Sequence, residues 1–273
     1  MSSPTIAVLG HGEAGSLISG GLHDAGFAVI GYDVKPPSAP TVPMASSIAE
    51  ALANADVVLS INSSMAAWRV AEEAAGFLKA GSLYADLNTG TPELKQKLAG
   101  ALPEGAFVDV AIMKPVPGLG ASVPMGVAGP AAARFIELMS PGLNLEYVSA
   151  TVGEAAARKL TRSILAKCMA GVVIDYMWAA EQLGLKDWAY QELLAEFDSL
   201  SAETAKRYLA GTVTHVKRRE IEMLDVVEML NHVDYQSIFV PPTQLVYNRI
   251  YHSIKVPFGT AAEQERFDGT RDQ

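Results

Sequence analysis

Residues 153–167 read GEAAARKLTRSILAK, a run in which Arg158, Lys159, Arg162 and Lys167 interrupt an otherwise apolar series. At 3.6 residues per turn, Lys159 and Ser163 lie one turn apart. Lys167 follows a turn later, drifted by about 80° from Lys159, so the three share one broad helical face. Arg158 and Arg162 form a neighbouring stripe at the same spacing. A solvated helix face mixes both signs of charge, whereas this run holds hardly an acid after Glu154. The cations are therefore expected to face a cleft, although ordinary surface ion pairs are an equal reading of Arg158 and Arg162.

A second chemical signal is IAVLGHGEAG, in which a β-rich run leads straight into Gly10, Gly12 and Gly15 and an amphipathic stretch, SLISGGLHDAG, follows. The G-x-G-x-x-G spacing in this context is the phosphate turn of a dinucleotide site. The first glycine permits the turn, the second lets the backbone approach a pyrophosphate, and the third lets the helix pack on the strand. His11 lies inside the turn, where its backbone matters more than its ring. Asp33 ends the next β-rich run, FAVIGYD, close to the roughly 20-residue offset at which a carboxylate accepts from the adenosine ribose 2′-OH and repels a 2′-phosphate. NAD is expected as cofactor, with NADP possible because Lys35 could turn back to a 2′-phosphate. A plain turn before PPSAP is the competing reading of Asp33.

His215 precedes a basic run, Lys217, Arg218 and Arg219. It reads as a capping histidine before a solvated face paired with Glu220 and Glu222. No His/Cys/Asp cluster has metal-ligand spacing, so no metal is expected. Trp178, Trp188, Tyr176 and Tyr190 recur at helical spacing and read as core or dimer interface.

The elements that must position these groups follow from periodicity. Up to about residue 150, short β-rich runs alternate with helical ones, the pattern of a parallel sheet covered by helices. The strands expected are TIAVLG, FAVIGYD, DVVLSIN, LYADLN, AFVDVAIM, PMGVAG and LNLEYVS. Helices are expected over SSIAEALANA, AAWRVAEEAAGFLKA and TPELKQKLAGAL, the last with Thr91 as cap and Pro92 at its first position. Beyond that point the strands stop. One long helix is expected from Val152 to about Gly184, then helices through QELLAEFDSL, VKRREIEMLDVVEMLN and PPTQLVYNRIYHSI. This divides the chain into an α/β domain over 1–151 and an all-helical domain over 152–273. The polar tail after Pro257 is expected to fray.

Composition bounds the rest. The 273 residues are 49% apolar, ample for a core, and the net charge of −9 argues against nucleic acid or an anionic membrane as partner. Cys168 is the single cysteine, and the N-terminus lacks a charged leader with an apolar core, so a cytoplasmic location is expected. The stretch CMAGVVIDYMWAA, bounded by Lys167 and broken by Asp175, falls short of the roughly 20 apolar residues of a membrane span and reads as a buried core helix.

These motifs resemble the β-hydroxyacid dehydrogenases and their relative 6-phosphogluconate dehydrogenase. They are most similar to a branch described as NAD-binding 6-phosphogluconate-dehydrogenase-like proteins with a C-terminal domain of unknown function. GHGEAG matches the branch's glycine turn, HVKRREIEMLDVVEML its C-terminal signature, and DVVLSIN the strand whose end lies along the cofactor. DLNTGTP stands where relatives carry Asp-x-Ser-Thr. The resemblance implies a Rossmann-type doubly wound, mostly parallel sheet followed by an all-helical domain, and a homodimer. The cofactor set it implies joins Gly10, His11, Gly12, Glu13, Ala14 and Gly15 to Asp33, Val34, Lys35, Asn62, Ser63, Asn88 and Thr89.

Lys159 aligns with the lysine that acts as general acid/base in the parent families. Ser163 stands for their asparagine four residues later, and Met113, followed by Lys114, stands for their substrate-binding serine. Ser163 would hold the substrate oxygen. Arg162, Lys167 and Lys114 would bind a carboxylate or phosphate, and Met113 and His215 complete the substrate set, His215 as the alternative to capping reaching the partner subunit's site in trans. The implied activity is hydride transfer between NAD(P) and a small, anionic hydroxy acid. Imine reduction, oxidative decarboxylation of a sugar acid, and a cofactor-binding sensor are the alternatives.

Overall fold

The computed structural model describes residues 3–252 and residue 256, which form two compact units meeting in sequence between Ile164 and Leu165. The tail after Pro257 lies outside the described residues.

The first unit is built on seven strands: β1 (Thr5–Leu9), β2 (Ala28–Tyr32), β3 (Val57–Ser60), β4 (Leu83–Asp86), β5 (Phe107–Ile112), β6 (Met125–Ala128) and β7 (Leu145–Ser149). They lie in the order β2-β1-β3-β4-β5-β6-β7, parallel except where β6 runs against β5. All seven coincide with the β-rich runs read in the sequence. The central strands β1, β3, β4, β5 and β6 are buried on both faces, so alternate residues of one strand feed opposite layers. Ile6, Val8, Val57 and Leu59 join one apolar cluster, while Ala7, Leu9, Val58 and Tyr84 join the other.

Five helices cover these faces: α1 (Glu13–Asp24), α2 (Ile48–Leu52), α3 (Ser64–Ala75), α4 (Pro92–Ala101) and α5 (Ala132–Met139). Their starts are written in local chemistry. Thr91 Oγ1 accepts from Leu94 N at 3.2 Å with Pro92 opening α4, and Ser63 caps α3 through Ala66 N at 3.2 Å.

The long helix α6 (Glu154–Gln182) spans 29 residues and continues into the second unit, which adds α7 (Lys186–Ser199), α8 (Ala202–Thr214), α9 (Val216–Asn231) and α10 (Val240–His252). A capping box between Ser201 and Thr204 opens α8. Glu220 Oε1 of α9 accepts from Gln244 (3.0 Å) and Asn248 (2.7 Å) of α10. Asp175 is 4% exposed in the middle of α6. It gathers the segment before α10: Tyr235 Oη (2.6 Å), Ser237 Oγ (2.5 Å) and the backbone N–H groups of Ile238 (3.2 Å) and Phe239 (3.1 Å) all donate to it.

The buried core helix expected over 168–180 is not observed. Met169, Val172, Ile174 and Trp178 are exposed, because within its own unit the helix turns mainly Asp175 and Ala180 inward. Trp188 and Tyr190 are exposed too, and so are not core. By length and composition α6 also qualifies as a membrane span, through an 18-residue stretch longer than the one judged too short in the sequence. The four protein donors around Asp175 account for its mid-helix charge without a bilayer.

Candidate functional site

The sheet order reverses at β1, and the crevice beyond the carboxyl ends of β1 and β3 is the place where doubly wound sheets bind ligands. A cavity of about 410 Å³ lies there, lined by Gly10, Gly12, Glu13, Ala14, Gly15, Asp33, Val34, Asn62 and Ser63 together with Arg69 of α3. Each glycine has a distinct reason. Gly10 has φ +105°, and a Cβ on it would lie 2.1 Å from the Ile61 carbonyl oxygen. A Cβ on Gly15 would lie 2.0 Å from the Gly10 oxygen, so the strand–helix packing depends on its absence. A Cβ on Gly12 would meet nothing within 4 Å: its bare face is open to the space that a pyrophosphate would fill. Helix α1 starts there with no side-chain cap, leaving first-turn N–H groups and the positive dipole end available to an anion.

Asp33 is held at the mouth of this turn. Its Oδ2 accepts from His11 N (2.7 Å) and its Oδ1 from Lys35 N (2.8 Å), leaving lone pairs for a ribose hydroxyl. The Lys35 side chain is exposed and does not line the cavity. The His11 ring is buried between Ser16 Oγ (3.3 Å) and Ser19 Oγ (3.1 Å). Burial lowers its pKa from the ordinary histidine value, with the Asp33 charge opposing.

From the cavity a polar network runs inward. Asn62 N donates to Asn88 Oδ1 (2.6 Å), and Asn88 Nδ2 donates to Asp86 Oδ1 (2.5 Å) and Ser60 Oγ (3.2 Å). Asn88 thus braces the loops after β3 and β4, while Thr89 is exposed. Asp86 in turn meets Lys95 of α4, whose Nζ lies 2.6 Å from Asp86 Oδ2 and 3.3 Å from Asp109 Oδ1. Asp109 Oδ2 accepts from Gly153 N (3.1 Å) and Ala156 N (3.2 Å), fixing the start of α6.

One turn further along α6 comes Lys159, half-buried, with no hydrogen bond or ion pair among the described residues. Desolvation lowers its pKa from the ordinary lysine value, the Lys95 charge lowers it further, and Asp86 and Asp109 oppose. Lys95, Asp86 and Asp109 were not singled out in the sequence. The available signal was Lys95 falling with Leu98 and Leu102 on the buried face of an amphipathic helix, and aspartates ending or interrupting apolar strand runs.

Met113 packs with Ala111, Ala128 and Ala155. Lys114, Arg162 and Lys167 are exposed, and Ser163 is half-buried. Arg158 makes the ordinary surface pair, 3.8 Å from Glu146. His215 joins α8 to α9 without a side-chain capping bond. Arg219 NH1 donates to Thr212 Oγ1 (3.0 Å), and Glu220 faces α10 instead of the basic run.

A strand, a glycine turn with open amides, a helix, and an acid closing the second strand define a dinucleotide-binding domain. Residues 5–118 match the model of the NAD binding domain of 6-phosphogluconate dehydrogenase. The first unit is therefore an NAD-binding domain similar to that of 6-phosphogluconate dehydrogenase, the superfamily that the motifs resemble. Among solved structures, a conserved hypothetical protein from Sinorhizobium meliloti 1021 is 29% identical, with TM-score 0.58, covering 97% of this chain and 94% of that one. A conserved protein of unknown function described as structurally similar to 3-hydroxyacid dehydrogenases is 26% identical, with TM-score 0.58, covering 90% of this chain and 96% of that one. An imine reductase variant from Myxococcus stipitatus, in complex with NAD+, shares the fold at 15% identity and TM-score 0.74, covering 97% of this chain and 99% of its own.

Proposed function

We propose that this protein is an NAD(P)-dependent oxidoreductase that interconverts a small hydroxy acid and its carbonyl counterpart, with Lys159 as general acid/base. The observation that carries the reading is the Lys159 amine: half-buried, unpaired and with a lowered pKa, at the start of a helix whose position the buried Asp109 fixes. An amine in that state gives up its proton more readily than an exposed lysine, which favours proton transfer to and from a substrate oxygen. The cofactor, when bound in the glycine-turn cavity, supplies the hydride acceptor or donor. Gly12 and the first-turn amides of α1 suit its pyrophosphate, and Asp33 suits its ribose, favouring NAD over NADP.

In this reading Lys159 takes the hydroxyl proton in the oxidative direction and returns it in the reductive one. Ser163, on the same helical face, holds the substrate oxygen. Arg162, Lys167 and Lys114, exposed in the single chain, supply the positive charge for a carboxylate or phosphate. The protein works as a homodimer in the cytoplasm, where the exposed Cys168 stays a free thiol.

The test is a screen of hydroxy acids, sugar acids, amino alcohols and cyclic imines for NADH or NADPH production or consumption. Turnover of a hydroxy acid without CO2 release supports the reading. Turnover confined to imines, or tight cofactor binding with no turnover of any class, contradicts it.

A further inference from the structure

Lys95 is 1% exposed, and burying a cation costs free energy that only good pairing offsets. Its ammonium donates to Asp86 Oδ2 (2.6 Å) and to the Asp86 carbonyl oxygen (2.8 Å), and it forms an ion pair with Asp109 Oδ1 at 3.3 Å without a hydrogen bond. Stability is a weak reason for such a site, since apolar residues of similar volume often replace a buried ion pair without loss. Its neighbourhood offers a stronger one. The charged groups whose fields act on Lys159 are Lys95 from α4, Asp86 from β4 and Asp109 from β5, and Asp109 also holds the amides of Gly153 and Ala156 one turn before it. Two carboxylates are thus within electrostatic reach of Lys159, yet Lys159 pairs with neither. Asp86 already accepts from Lys95 and Asn88, and Asp109 is ion-paired with Lys95 through Oδ1 while its Oδ2 accepts from the Gly153 and Ala156 amides.

We propose that Lys95 is a positioning residue for Lys159: by occupying Asp86 and Asp109 it denies both carboxylates to the Lys159 amine and leaves that amine uncommitted. The inference rests on the acid/base reading of Lys159 given above. A carboxylate freed from Lys95 would favour the charged form of Lys159. Lysine at 95 would then set the protonation of lysine at 159 without touching substrate or cofactor.

The test needs no substrate. Full-length wild type, Lys95→Met and Lys95→Arg are reductively methylated with formaldehyde and a borane across a pH series. Labelling of Lys159 is read by peptide mass spectrometry against exposed lysines of the same chain. In wild type, Lys159 is expected to label at lower pH than those references. In Lys95→Met its labelling at a fixed pH falls by about tenfold, the factor expected when an amine gains a buried carboxylate partner. Lys95→Arg, which retains a cation for both acids, restores it.

Unchanged labelling of Lys159 in Lys95→Met, or equal slowing in Lys95→Arg, overturns the inference and leaves the acid/base reading standing. If Lys159 in wild type labels like the exposed references, the acid/base reading itself fails. Should Lys95→Met not fold, the charge-balanced pair Lys95→Met/Asp86→Asn carries the test through Asp109. Slowed labelling of Lys159 is again expected, and unchanged labelling overturns the proposal.

Discussion

The chemistry assigned to this protein turns on the ionisation of one amine. Burial and the Lys95 charge lower the pKa of Lys159 from 10.5 against the opposing pull of Asp86 and Asp109, so its free base is populated at lower pH than that of an exposed lysine. The sign for catalysis follows. As base, Lys159 must be neutral, so the oxidative kcat/KM is expected to rise with pH and level off above the lowered pKa. As acid it must be charged, so the reductive rate is expected to fall through the same range. Steady-state rates in both directions across pH check this, and profiles of the same slope in both directions would contradict it. At Asp33, replacement by Ser removes the carboxylate that repels a 2′-phosphate. Titration of cofactor fluorescence should show the ratio of NADP to NAD affinity rising by about tenfold, the effect of roughly 1.4 kcal/mol. Lys159 stands out in the sequence only through its match to the parent families' lysine and its spacing to Ser163. Lys95, Asp86 and Asp109 were not legible as a group, because residues 86, 95 and 109 meet only when β4, β5 and α4 come together.

At the level of elements the sequence was most transparent in the sheet. Strands buried on both faces are short apolar runs, and the central strands were visible as such; β2 and β7 were visible as β-rich runs, and the Thr91–Pro92 start of α4 was visible too. The glycine turn separates folding from binding. Gly12→Val should leave thermal unfolding nearly unchanged, since its Cβ meets nothing within 4 Å. Filling the space needed by the pyrophosphate should weaken cofactor binding by about a hundredfold, equivalent to roughly 2.7 kcal/mol. Gly15→Ala should do the opposite: its Cβ falls 2.0 Å from the Gly10 oxygen, forcing a backbone shift that costs about 2 kcal/mol. Calorimetry with and without cofactor distinguishes the two. In α6, Asp175 looked in the sequence like a break in an apolar stretch, but its partners at 235–239 lie too far along the chain for local pattern to reveal. Desolvation raises its pKa, but hydrogen bonds from Ser237, Tyr235, Phe239 and Ile238 prevail and lower it from 3.8. Its contribution is therefore complete above the unfolded carboxylate pKa and lost as pH falls through the lower folded value. Asp175→Ala should cost about 3 kcal/mol by leaving buried donors unmatched, and acid unfolding should begin at higher pH than in wild type.

For the whole molecule, the difference between expected and observed burial of α6 is informative. An apolar pattern on a helix marks a face that avoids water, but does not say which chain covers it. The groove between α6 and α7, lined by Met169, Val173, Ile174, Leu193, Leu194 and Phe197, is open in the single chain. In the proposed homodimer a second copy covers this groove, so Ile174→Asp is expected to shift the sedimenting species from dimer to monomer, and a monomeric wild type would contradict that proposal. The central claim remains the role of one side chain, and it is tested most directly by comparing Lys159→Met with wild type on the hydroxy acid that the screen identifies. Turnover lower by about two orders of magnitude with unchanged cofactor affinity is the predicted result; turnover close to wild type would contradict the account.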